Sequence, residues 1–185
     1  MDKPMPGIAF NMMSLAFKVV DLFVSPDALL DEVGIRTGSV VLNYGCGPGR
    51  YEPSLAKRVG PAGTVYALDI HPLAVQKVAN IAKKQGLANV KTILSNRATG
   101  LPAESVDVVL LLDVFHMLGD PEGVLRELHR VLKEHGVLAC QLEHMDEATG
   151  ISSIEETGCF GLCRQSKRVL LFAKNCQTSG SAVGS

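Results

Sequence analysis

Between Ile8 and Val24 the apolar residues recur at helical spacing, while Asn11, Ser14, Lys18 and Asp21 fall on one side. This pattern predicts an amphipathic helix whose wide apolar face has to cover something. Ser25-Pro26-Asp27 reads as a helix start, with Ser25 as N-cap and Pro26 in the first helical position; a short helix then runs to about Val33 and stops at Gly34. From there strands and helices alternate. Ser39–Asn43 is a short buried strand, followed by a glycine-rich stretch and a helix over Tyr51–Val59 that Gly60-Pro61 ends. Thr64–Leu68 is the second strand, Pro72–Lys84 a helix that Gly86 ends, Val90–Leu94 the third strand and Val106–Leu112 an almost continuous apolar fourth. Pro121–Leu132 is amphipathic, closed by Lys133 and Gly136, and Val137–Leu142 is the fifth strand.

Near-continuous apolar strands alternating with amphipathic helices predict a parallel sheet with helices on both faces. The last third differs. One short helix is expected over Ile151–Thr157, then two strands, Phe160–Arg164 and Val169–Lys174, joined by a tight polar turn around Gln165–Lys167. Strands so close in sequence pair antiparallel, because a parallel pair needs a crossover. The small, polar segment Gln177–Ser185 is expected to be disordered.

Composition narrows the picture. At 185 residues and 46% hydrophobic, the chain holds one domain with a sizeable core. Eighteen basic against 19 acidic residues leave a formal charge of −1, so no electrostatic footprint for nucleic acid is expected. With no Trp and 5% aromatic residues, stacking platforms are not expected either. The five cysteines are scattered, a pattern of reduced thiols in the cytoplasm rather than a disulfide framework. Lys18 and Asp21 interrupt the apolar N-terminal stretch, which argues against a signal peptide or a membrane span.

The candidate chemistry begins at Gly45-Cys46-Gly47-Pro48-Gly49-Arg50, between the first strand and its helix, at the carboxyl edge where open α/β sheets bind ligands. Glycines there let the chain turn tightly and let a ligand approach the backbone. The dinucleotide fingerprint G-x-G-x-x-G wants its third glycine where Arg50 stands, and no G-K-[ST] follows for a nucleoside triphosphate. Asp69 ends the second strand, where a carboxylate can accept from both hydroxyls of a ribose; an N-cap role before His71-Pro72 is the lesser alternative, and both roles can coexist. The loop and the acid together suit a ribonucleoside without a demand for phosphate.

The run Val40–Gly49 resembles the first motif of class I S-adenosylmethionine-dependent methyltransferases, in particular the small enzymes similar to the ubiquinone/menaquinone-biosynthesis group. Val65–Ile70 resembles their second motif. Leu101-Pro102, Val106–Val109 and Val114–Leu118 resemble the stretch around the fourth strand, and Arg126–Lys133 with Gly136–Leu138 the helix and strand after it. The resemblance covers roughly residues 36–174, in order. It implies a three-layer, Rossmann-like, mostly parallel seven-stranded sheet with an antiparallel C-terminal hairpin. It implies S-adenosylmethionine as cofactor and S-adenosylhomocysteine as product, held by Asn43, Gly45, Cys46, Gly47, Gly49, Asp69, Ile70, Asn96, Arg97 and Asp113. On this reading residues 1–34 form a helical cover, 35–176 the cofactor-binding domain and 177–185 a tail.

Three departures from the family pattern stand out. Asn43 replaces the usual Asp near the methionine end of the cofactor, Asn96 replaces the usual Asp facing the adenine amine, and Glu143–Cys159 is short where many relatives insert a substrate-recognising lobe. The N-terminal helix is then the expected cover, with Phe10, Met13 and Phe17 facing the acceptor; as a dimer contact it would serve differently, and monomer and homodimer both stay open. A sulfonium methyl is already activated, so transfer needs mainly alignment, and a general base only for acceptors that must lose a proton. His116, Asp113 and Tyr51 are the catalytic candidates, while Glu143 and His144 read as a polar strand exit. Cys159 and Cys163 are expected on one strand face as core thiols; a thiol-bound soft acceptor would need Cys140, Cys159 and Cys163 to converge, and no metal is expected. The acceptor class is a small molecule. The competing functions are a catalytically degenerate cofactor-binding protein and a nicotinamide-dependent oxidoreductase.

Overall fold

In the computed structural model the residues described are 6–10, 12 and 26–175. Its elements run α1 (Asp27–Val33), β1 (Val40–Tyr44), α2 (Glu52–Val59), β2 (Thr64–Asp69), α3 (Pro72–Gln85), β3 (Val90–Leu94) and β4 (Val106–Leu112). A 3-10 turn at Phe115–Met117 then leads to α4 (Pro121–Val131), β5 (Leu132–Gln141), α5 (Glu147–Glu155), β6 (Phe160–Gln165) and β7 (Leu170–Lys174). One seven-stranded sheet results, in the order β3-β2-β1-β4-β5-β7-β6. The first five strands are parallel; β7 pairs antiparallel with both β5 and β6. The chain order reverses between β1 and β4, and the carboxyl ends of those two strands flank the crevice there.

Two-residue alternation along the strands divides the core between the sheet's faces. Val41, Val65, Val108 and Leu110 pack with Leu29, Leu30, Leu55 and Val59, so α1 and α2 cover one face; Ala67 joins Val78 of α3 on the same side. Leu42, Val109, Leu111 and Leu138 pack against Val124, Leu125, Leu128 and Ile154, so α4 and α5 cover the other. Helices on both faces make three layers, and burial on both faces is why these strands read as continuous apolar runs.

Several boundaries differ from the pattern reading. The predicted helix over Ile8–Val24 lies mostly outside the described residues, as do Ser25 and the segment 177–185; within the described part, Gly7–Phe10 is helical and Phe10 is buried. β5 begins at Leu132, directly off α4, because Leu132 already pairs with Val106 before a bulge carries the chain outward to rejoin at Val137–Val108. α5 starts at Glu147 rather than Ile151, because Asp146 caps it by accepting from the Thr149 N–H at 2.9 Å. Cys163 is exposed rather than core: a bulge between Leu162 and Arg164 breaks the alternation that would have put it on the same face as buried Cys159.

The connection from β3 to β4 has no helix and is fastened to α4 instead. Glu127 accepts from the Thr99 N–H at 2.9 Å and the Thr99 hydroxyl at 2.6 Å, and pairs with Arg130, which also donates to the Leu101 carbonyl at 2.9 Å. The Arg130 guanidinium, with the Thr99 donors, holds the Glu127 carboxyl down at about 2, from an ordinary value of 4.5. A carboxyl with a lowered folded pKa stabilises the fold above its unfolded value and loses that contribution as pH falls toward the folded one. Thermal unfolding of wild type and Glu127→Gln should therefore differ most above about pH 4.5, with the gap in Tm closing toward pH 2. A gap that stays constant over that range would show that the carboxylate charge plays no part.

Candidate active site

The glycine loop leaves β1 at Tyr44 and is pinned to β2: the Gly45 and Cys46 N–H groups both donate to the Leu68 carbonyl, at 2.8 and 2.9 Å. Gly45, Gly47 and Gly49 all have positive φ, of 79°, 54° and 89°. Their surroundings differ in a telling way. A Cβ at Gly45 would meet Val114 Cγ2 at 2.5 Å, and one at Gly49 would meet Ile81 Cδ1 at 2.8 Å, so both are packed against protein. A Cβ at Gly47 would meet nothing within 4 Å, so the loop is open there.

Beneath that opening lies Asp69, 9% exposed at the end of β2. One carboxylate oxygen accepts from the Gly47 N–H at 2.8 Å and the other from the His71 N–H at 2.7 Å. The helix cap is His71, not Asp69: its Nδ1 accepts from the Leu73 N–H at 3.1 Å. Asp69 is thereby freed from capping and fixed in place, with lone pairs left on both oxygens, the arrangement a vicinal diol needs. The Gly47 N–H, being engaged by a carboxylate, is not offered to a phosphate. The geometry therefore fits a nucleoside with a free ribose and disfavours a pyrophosphate.

Next to it, Asn43 faces the α2 side of the sheet and its Nδ2 donates to Glu52 Oε1 at 2.6 Å. Glu52 is completely buried, and burial pushes its carboxyl up to about 7; the Asn43 amide and the N–H dipoles of Glu52 and Tyr51 offset that only in part. Burial also raises the Cys46 thiol well above its usual value, with the Glu52 and Asp69 charges adding to the effect. Tyr44 donates its hydroxyl to the Asn96 carbonyl at 2.9 Å, and burial pushes that phenol up to about 12. This bond holds the segment after β3 at the same edge; Asn96 and Arg97 are exposed there, with Arg97 paired to Asp120 at 2.8 Å. Ile70 is half-buried beside Asp69, and Phe10 stacks on His71 with ring centroids 4.5 Å apart.

A second group gathers where β4 and β5 end. Asp113, at φ 54°, is in the left-handed region that asparagine and aspartate tolerate best among non-glycine residues. Its Oδ2 lies 3.2 Å from His144 Nε2, its Oδ1 3.8 Å from His116 Nδ1, and the two imidazoles meet edge to face at 5.3 Å. Asp113 Oδ1 is buried without a hydrogen-bond partner. Tyr51 is half-buried before α2, with the Arg50 guanidinium 5.5 Å from its ring centre.

The structure thus gathers the glycine loop, Asp69 and Asn43 at one end of this edge and Asp113 with His116 at the other. Glu52 was missed, because in sequence it looks like any acid in a first helical turn. His144, which reads in sequence as a polar strand exit, is brought to Asp113 because β4 and β5 are neighbours. The three thiols do not converge: Cys140 and Cys159 pack in the core under α4 and α5, whereas Cys163 lines a groove of about 820 Å³ with Val33, Asp107 and Lys133. That groove lies at the amino ends of the strands, opposite the glycine loop. Among the described residues no cluster of three metal-ligating side chains occurs, and no helix is long and apolar enough to cross a membrane.

A parallel sheet in this strand order, with an antiparallel β7 and a ribose-type acid under an open glycine loop, defines a class I S-adenosylmethionine-dependent methyltransferase domain. The comparisons agree. Residues 35–171 match the methyltransferase domain family, and the chain belongs to it. It is 32% identical over 113 residues to a demethylmenaquinone methyltransferase of Geobacillus stearothermophilus, covering 60% of this chain and 48% of that one. To a nocamycin O-methyltransferase of Saccharothrix syringae it is 37% identical over 109 residues, covering 58% of this chain and 39% of that one. The chain thus spans about half or less of the length of these curated relatives. A crystal structure of a SAM dependent methyltransferase from Aquifex aeolicus superposes with a TM-score of 0.74 at 29% identity, covering 82% of this chain and 90% of that one. S-adenosylmethionine is the cofactor these findings assign.

Two substitutions test whether this edge holds the cofactor. Asp69→Ala should weaken S-adenosylhomocysteine binding by about 1.5–3 kcal/mol in calorimetry, the range for hydrogen bonds to a charged group. Gly47→Ala should weaken it at least about tenfold by filling the open face, while thermal stability falls by only about 1 kcal/mol, the cost of a left-handed alanine. Unchanged affinity in both, with the fold intact, would place the cofactor elsewhere.

Proposed function

We propose that this chain transfers the methyl group of S-adenosylmethionine to a small-molecule acceptor by in-line displacement. The observation that carries the reading is the placement, on one sheet edge, of Asp69 under the open glycine loop and of the Asp113–His116–His144 group beside it. S-adenosylmethionine supplies an activated methyl on a sulfonium; the chain's own residues have to bind, orient and exclude water. Asp69 would take the ribose hydroxyls, the Gly45–Gly49 backbone the amino-acid end, and Ile70, Asn96 and Arg97 the adenine side. His116, backed by the Asp113 carboxylate, would accept a proton from an acceptor hydroxyl, and Tyr51 would line the acceptor side from across the loop. A carboxylate beside an imidazole orients the ring and stabilises its protonated form.

The relatives carry the names demethylmenaquinone methyltransferase and nocamycin O-methyltransferase, which supports an acceptor with an ionisable oxygen or a ring carbon activated by one. The segment 1–34 would cover the site. Phe10 on His71 supports a course of its first turn over the end of β2, at the cofactor end rather than over the acceptor; Met13 and Phe17 lie outside the described residues. α1 packs into the sheet core as well. The reading keeps the chain in the cytoplasm, as monomer or homodimer, without nucleic acid as partner.

The test is methyl transfer from isotopically labelled S-adenosylmethionine to a panel of phenols, naphthols, quinols and enolic diketones, read by mass spectrometry. Methylated product with at least one, and a loss of about 10²-fold or more in kcat for His116→Gln at unchanged cofactor affinity, is the expected outcome for a positioned base. Cofactor binding with no methylation of any member would point to the degenerate alternative.

A further inference from the structure

Beside the glycine loop lies an acid with no described counter-charge. Glu52 is 0% exposed, and its Oε2 has no hydrogen-bond partner. No ion pair among the described residues reaches it; its charged neighbour is Asp69, of the same sign. Burying an unpaired carboxylate is costly, so such a group is tolerated where it is neutral or where a cation arrives to meet it. Its position says which cation. Oε1 is held by Asn43, next but one before Gly45, and Oε2 lies 3.7 Å from where a Gly49 Cβ would stand. The carboxyl is thus pressed against the inner side of the glycine loop, whose outer side is open at Gly47. A cation resting on the loop would lie close to this carboxyl, in a setting of low dielectric where charges act strongly.

We propose that Glu52 is the acidic group facing the amino-acid end of the cofactor, and that binding of the cofactor's α-ammonium there expels a proton from the Glu52 carboxyl to solvent. The inference rests on the reading of this edge as the S-adenosylmethionine site. Asn43 cannot carry the charge itself; its amide instead donates to the carboxylate and keeps it on the loop. The proton balance is simple: a neutral carboxyl becomes a carboxylate, one proton leaves, and the ammonium replaces it as the positive charge in the pocket. With its free carboxyl at about 7, the group is half protonated at neutral pH, and burial is the main cause. The other groups facing it are Asp69 from β2 and the Cys46 thiol from the loop; Val78 and Ile81 of α3, which share the packing at Gly49, bring no charge.

The sign follows. Only the deprotonated form welcomes the ammonium, so affinity falls as pH drops through 7. Calorimetry of S-adenosylhomocysteine binding to the whole chain should show Kd rising about eightfold from pH 7.5 to 6, with about half a proton released per ligand at pH 7 in buffers of different ionisation enthalpy. Glu52→Gln should bind more weakly at pH 7.5 and lose the slope and the proton release. The double variant Asn43→Asp/Glu52→Gln, which returns a carboxyl to the strand, should regain affinity and provides a second arm should the single variant not fold. Equal slopes in wild type and a folded Glu52→Gln variant, or no proton release by wild type at pH 7, would overturn the proposal. No binding by wild type at pH 7.5 would instead overturn the reading of the site, and the inference with it.

Discussion

The Asp69 carboxylate is the tie on which the site depends. One oxygen holds the Gly47 N–H and the other the His71 N–H, so a single side chain fixes the glycine loop after β1 and the turn into α3 together. Without it two strands would end near one another with their loops independent. With it, the loop is drawn over the end of β2, and its open face stands above a carboxylate that still has lone pairs to give. Because His71 takes over the capping of α3, the lone pairs that Asp69 does not give to these two N–H groups stay available to a ligand.

The same economy appears one strand over. Alternation along β1 sends Val41 and Asn43 to the side of α2 and Leu42 and Tyr44 to the side of α4. Asn43 therefore meets the first residue of α2 and holds Glu52 under the loop, while Tyr44 reaches the other way and ties down the backbone at Asn96. At the position of the Asn43 departure, the acid beside the loop thus stands on the helix rather than on the strand. At the far end Asp113 takes an uncommon backbone conformation, with His144 from the β5 end against one oxygen and His116 nearer the other. The register of β4 between β1 and β5 thus brings the Asp69 and Asp113 groups to a single edge of the sheet.

Much of this was legible in the chain. Parallel strands buried on both faces leave long apolar runs, so β1 to β4 and the helices between them could be read, and the short polar turn around Gln165–Lys167 fixed the sense of the terminal hairpin. The meeting of the loop Gly45–Gly49 with Asp69 was legible because glycines and an acid at strand ends are read from residue type. Where tertiary contacts decide, the pattern went silent. The start of β5 at Leu132 depends on pairing with Val106, and the exposure of Cys163 on a bulge that periodicity does not mark. Glu52 and His144 acquire their roles only from neighbours far off in sequence or on another strand. The cap at Asp146 is a different case: an acid three residues before Thr149 was there to be read, but the apolar residues after it drew the boundary to Ile151.

Whether this edge takes a nucleoside with a free ribose and a cationic amino-acid end, and not a dinucleotide, is tested most directly by titrating S-adenosylhomocysteine and NADH into the same preparation at pH 7.5. Saturable one-to-one binding of S-adenosylhomocysteine with no heat from NADH is the predicted result. Binding of NADH without S-adenosylhomocysteine would contradict the account.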